Sequence, residues 1–120
     1  MAEKLSLFRK EDTSNMVGRL VIPDHTKEAL DNYFLRGYEP GSFVTYILTD
    51  DLYRAVGWAD MQNRHAIYEI VKWLTTDPIV PANSFGTFEK VADWLNDKNN
   101  IRTKFVDTFE KEYIWNTLKE

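Results

Sequence analysis

PGSFVTYILTDDLYRAVGWADMQN, from Pro40 to Asn63, is the stretch whose reading decides the fold. After the Pro-Gly turn, Ser42 is a good N-cap. Phe43, Val44, Ile47, Leu48, Leu52, Ala55, Val56 and Ala59 then share one broad face at helical spacing. The spacing predicts a central helix from Ser42 until Gly57 loosens its end. Asp60 is well placed to cap the next helix, 61–75, where Ile67, Ile70, Val71 and Leu74 repeat at i, i+3, i+4 and i+7. A connection this short predicts an antiparallel hairpin.

Two polar residues stand on these apolar faces. Asp51 falls inside the arc of the first helix, and Asn63 lies one turn upstream of Ile67 on the stripe of the second. Both come near the closed end of the hairpin, so a buried hydrogen bond between them is expected. A carboxylate on an apolar stripe must be hydrogen-bonded, paired or neutral. The structural reading is a polar link that fixes how the hairpin packs. The functional reading is that the closed end opens on a pocket or partner surface lined by Asp51, Asp60 and Asn63. Catalysis by an Asp51/Asp60 pair would need a cleft that the sequence does not display.

Upstream, 1–22 reads as an N-terminal arm: Leu5 and Leu7 alternate, 12–15 is a turn signal, and Pro23 stops the β-prone run before it. A helix beginning at Pro23 or Asp24 carries Ala29, Leu30, Tyr33 and Phe34 on one face and ends at Gly37. Downstream, Ile79 and Val80 suggest that the Pro-containing loop after residue 76 lies against the body. Thr87 then caps a short helix bearing Phe88, Val91, Ala92 and Leu95, with Trp94 beside them, and 96–100 breaks it. A last helix, 101–118, stripes Phe105, Val106, Phe109 and Tyr113, extended by Ile114, Trp115 and Leu118. That surface is packed onto the bundle or used against a second copy, with Phe105, Phe109, Tyr113 and Trp115 as interface candidates.

The expected architecture is therefore all-α. It is a small bundle of about five helices with a central antiparallel hairpin, in one helical domain, 23–120, preceded by the extended arm. With 120 residues, 43% of them hydrophobic, and seven Phe, six Tyr and four Trp, the chain can build its own core. There is no cysteine, hence no disulfide, thiol nucleophile or Cys-based zinc site. The net charge of −4 is uneven: 23–95 carries eleven acidic against six basic residues. Phosphate binding needs a basic face, so nucleic acid is not an expected partner. No apolar run approaches membrane-spanning length, so no membrane is expected either.

The phrases P-D-H-T-x-E-A-L-x-x-Y (23–33), P-G-S-F-V (40–44), I-L-x-x-D-L-x-x-A (47–55), A-D-x-x-N (59–63), I-V-x-W-L (70–74) and G-T-F-E-K-V-x-x-W (86–94) together resemble a family of small accessory proteins of tailed bacteriophages. The resemblance covers about 23–94, leaving the arm and the last helix outside it. Gly86-Thr87 departs from the more frequent Gly-Ser, but both residues cap a helix. The resemblance carries no catalytic residue or cofactor to this chain. It implies a setting: a phage product in the cytoplasm of the infected bacterial host, dispensable for building the virion.

No phosphate loop, dinucleotide fingerprint, nucleophile elbow or zinc-binding His pair is present. His25 sits in a first helical turn, and His65 has only Glu69 four residues on, which reads as a surface pair before a metal site. Trp73 and Trp94 adjoin apolar stripes and read as core or rim. Trp58, at the hairpin tip, and Trp115 are the aromatic candidates for an interface, with core packing as the commoner fate of each. The leading expectation is a non-enzymatic protein, without metal or cofactor, that binds a host protein and blocks or redirects it. A binder of a nucleotide signal is the alternative, followed by a minor virion component or a small hydrolase. The apolar C-terminal helix leans toward a homodimer.

Overall fold

The computed structural model describes residues 5–8 and 22–119, with side chains as far as 112. Among them lie seven α-helices and no strand. The all-α bundle expected from periodicity is the observed fold.

Helix α1, Asp24–Asp31, starts where Thr26 N–H and Lys27 N–H donate to the Pro23 carbonyl, both at 3.0 Å. It runs on as a π-helical turn, Asn32–Arg36, that closes at Gly37 with φ 70°. Glycine takes that conformation without strain, and a Cβ there would also collide with the Arg102 guanidinium. Tyr33, Phe34 and Leu35 are all buried. Three consecutive residues span about half the circumference of a helix, so this end of α1 is covered from more than one side. Trp94 meets Tyr33 and Phe34 from one side, and Trp73 meets Phe34 from another at 5.9 Å.

The polar atoms in this dense region are matched. Tyr33 O–H donates to the Ser84 carbonyl at 2.6 Å, and Trp94 Nε1–H donates to the Tyr33 carbonyl at 3.1 Å. Burial pushes the Tyr33 phenol well above its ordinary range, against a smaller pull from Arg102, so it stays a neutral donor. The Ser84 bond ties the loop before α6 to α1, and Val80 is buried beside it in the core, as expected.

The expected central helix is two helices. α2 spans Ser42–Leu48 and α3 spans Leu52–Trp58. Asp50 takes φ 62°, the left-handed place that glycine usually fills, while Asp51 N–H reaches back to the Tyr46 carbonyl at 2.7 Å. Asp51 then caps α3, its Oδ1 accepting from Arg54 N–H at 3.2 Å. Asp50 ends one helix and Asp51 begins the next. The change of direction puts Ala55 inside and turns Leu52 and Val56 out, reversing their expected burial. Gly41, with φ 88°, occupies the cap position of α2 in place of Ser42.

The second expected helix is likewise α4, Met61–Arg64, and α5, Ile67–Thr76, separated at His65 and Ala66. The two long antiparallel helices expected are thus four shorter ones, and the most extensive backbone packing among them is between α2 and α3. Ile47, Leu48, Ala55, Ala66, Ile70 and Leu74 still meet in one core with Leu30, Phe34 and Trp94.

α6, Phe88–Leu95, is capped by Thr87 Oγ1, which accepts from Lys90 N–H at 3.1 Å. It buries Val91 and Trp94 but leaves Phe88 outside. After a tight turn, Asp97 caps α7, Ile101–Lys119, accepting from Arg102 N–H at 2.8 Å and Thr103 N–H at 3.0 Å. The Thr103 hydroxyl also donates to this carboxylate, and with the two backbone bonds it holds the Asp97 carboxyl below its ordinary value, against some desolvation. Arg102 Nε–H donates to the Trp94 carbonyl at 3.1 Å, closing the end of α6. Phe105 leans on Trp94 at 5.5 Å and stacks with Phe109, which is buried. Of these two interface candidates, Phe109 is a core residue and Phe105 is partly buried against the core. Tyr113 and Trp115 lie in the part of α7 whose side chains are outside the described residues. So does most of the arm. Its residues 5–8 dock on the body: Ser6 O–H and Leu7 N–H donate to the Asp31 carboxylate at 2.6 and 2.8 Å, and Phe8 stacks on Trp73 at 4.4 Å.

Candidate functional site

The α3–α4 corner is built by two aspartate caps. Asp51 starts α3, and Asp60, at φ −73° and ψ 177°, starts α4 by accepting from Asn63 N–H at 2.7 Å. Each cap satisfies an amide that the first helical turn leaves open. Of the α3 side chains only Ala55 is buried. Tyr53 is 94% exposed, Met61 78% and Trp58 64%, and Leu52 and Val56 are exposed with them. The Trp58 ring lies 6.5 Å from Tyr46 of α2, a contact that props one side of the indole. Helix α3 and the first residue of α4 therefore present five large apolar side chains to solvent. Scattered apolar residues need no explanation, but a run of them on a short capped helix does.

The surface is acidic at its edges. Asp50, Asp51 and Asp60 adjoin it, and Arg54 turns back toward Asp51 at 3.5 Å. Asn63 N–H and, more weakly, the imidazole of His25 hold the Asp60 carboxyl below its ordinary value of 3.8, against some desolvation. Asp60 therefore stays charged at neutral pH.

Behind this corner Asn63 is buried, at 5% exposure, but its partner is not Asp51. Asn63 Oδ1 accepts from the Thr26 hydroxyl at 2.5 Å, and Asn63 Nδ2 lies 3.3 Å from His25 Nε2. The same His25 nitrogen is 3.3 Å from Asp60 Oδ2. Asn63 and Asp60 thus join α4 to α1, and the expected Asp51–Asn63 bond is replaced by this pin. The reason is the helix break: once Asp51 caps α3 it no longer points along the α2 face, while Asn63 faces the first turn of α1. Asp60 and Asn63 come together as candidates; Asp51 stands apart, half-buried on Arg54 N–H.

His25 and Thr26 lie 35 or more residues from their partners, and no local spacing signals the pairing. A buried Asn on an apolar stripe was the one legible sign that some partner had to exist. Tyr53 and Met61 carried no sign at all. Chemically, a His–carboxylate pair can orient an imidazole as a base. Thr26 Oγ1, the hydroxyl in this cluster, is buried and committed to Asn63, so it is no nucleophile here. Among the described residues no group of three or more His, Asp or Glu is arranged to hold a metal ion, and no helix is long and apolar enough to cross a membrane. Comparison of the chain with protein-family models, with curated proteins and with solved structures returned no match.

Proposed function

We propose that this is a non-catalytic binding protein that docks on a partner protein through the α3–α4 surface. The observation that carries the reading is the exposure of Tyr53, Val56, Trp58 and Met61 on helices fixed by two caps. A rigid aromatic group costs little conformational entropy to bind, and Trp and Tyr dominate interface energetics. The acidic margin of Asp50, Asp51 and Asp60 favours a partner with an apolar centre and a basic rim. Resemblance of 23–94 to small tailed-phage proteins supports a host bacterial protein as that partner, blocked or redirected in the infected cell.

The test is affinity capture of the tagged chain from infected bacteria, alongside Trp58→Ala and Tyr53→Ser. The expected result is one stoichiometric host protein, with affinity falling by about thirtyfold or more in the variants, as for a hot-spot truncation of ~2 kcal/mol. Equal capture by the variants would remove α3–α4 from the interface. Release of a bound nucleotide on heating, with no protein partner, would replace this reading with small-molecule sequestration.

A further inference from the structure

We infer that His25, Asn63 and Thr26 form a proton-linked amide switch, in which the charge state of an exposed imidazole sets the orientation of a buried carboxamide at the α1–α4 junction. The inference rests on a conflict at one atom. His25 Nε2 faces the Asp60 carboxylate, which only accepts, and the Asn63 amide nitrogen, which only donates, each at 3.3 Å. A single nitrogen cannot serve both. With its proton on Nδ1, a neutral ring accepts from Asn63 Nδ2–H and turns a lone pair toward Asp60 Oδ2. With Nε2 protonated, the ring donates to Asp60, and the amide N–H is left facing another N–H.

Turning the carboxamide by 180° removes the second conflict. Oδ1 then accepts from His25 Nε2–H, and Nδ2 donates to Thr26 Oγ1. Thr26 Oγ1 can take either role because a hydroxyl both donates and accepts, provided that in the flipped state its own proton turns from Asn63 to a backbone carbonyl one turn back. The two amide orientations occupy nearly the same volume, while the backbone bond from Asn63 N–H to Asp60 is untouched. Burial makes the choice matter: Thr26 is 1% exposed and Asn63 5%, so water cannot readily satisfy a mismatched group there. His25 and Asp60 are more than half exposed, so protons reach the ring freely.

The charged group in contact with the imidazole is Asp60 from the α4 cap; Arg64 follows farther along α4, and Asp24 and Glu28 are the charged residues near His25 in the sequence of its own helix. Asp60 is held below its ordinary 3.8 and stays charged at neutral pH, so a proton added to this cluster there does not go to its carboxylate. The switch stands whether or not α3–α4 binds a partner.

The test is a pH titration of the isotope-labelled full chain by NMR, following the His25 ring nitrogens and the Asn63 side-chain NH2 signals above pH 5. The expected result is one common midpoint for both. His25→Gln should abolish the Asn63 movement with the melting temperature kept, and His65→Gln should leave it intact. An Asn63 amide that does not move through the His25 titration, or that still moves in His25→Gln, would overturn the switch.

Discussion

Two aromatic regions of this molecule use the same residue types to opposite ends. Around Trp94, the rings of Tyr33, Phe34 and Phe105 close on one another, and each buried polar atom among them has its bond. On α3, Tyr53 and Trp58 stand in solvent with Met61, on a helix whose single buried side chain is Ala55. Hydrophobicity does not separate the two. Neighbours do: the end of α1 is enclosed by α5, α6, α7 and residues 5–8, whereas α3 follows a helix break that carries it to the rim. An aromatic residue is core only where enough elements converge to cover it.

The comparison breaks most visibly at its centre. Trp94→Ala should destabilise the fold by about 3–5 kcal/mol, since the cavity would lie among rings already locked by packing; chemical denaturation measures it. A destabilisation under about 1 kcal/mol would show that the enclosure is looser than drawn. Tyr33→Phe keeps the ring but leaves the Ser84 carbonyl without its donor, and should lower the unfolding free energy by ~1–2 kcal/mol. The smallest effect belongs to the other region. Trp58→Ala should change stability by no more than about 0.5 kcal/mol while weakening partner capture, a split that no core tryptophan could show. A large loss of stability would instead make Trp58 a structural residue through its contact with Tyr46.

The halves of the 40–63 stretch show what local reading reaches. Val44, Ile47 and Leu48 are buried as their spacing requires. Leu52 and Val56 match the same pattern and are exposed, because periodicity assumes one continuous axis and Asp50 and Asp51 end it. The signal was present in weak form: two adjacent aspartates favour caps over helix interiors, since their side chains compete for backbone amides. Asp60, Thr87 and Gly37, by contrast, act at the positions their types suggest.

By itself, then, the sequence determined the all-α class, the ends of α1 and α6, the cap at Asp60 and the demand of Asn63 for a polar partner. Each follows from forces acting within a few residues: capping, the freedom of glycine, and the 3.6-residue repeat. Only the tertiary structure decided that Asn63 meets Thr26 and His25, that Phe105 leans on Trp94 with Phe109 stacked behind it, and that α3 stands open. Those outcomes depend on which surfaces arrive beside one another after the chain turns, and a one-residue change in where a helix ends redirects all that follows it.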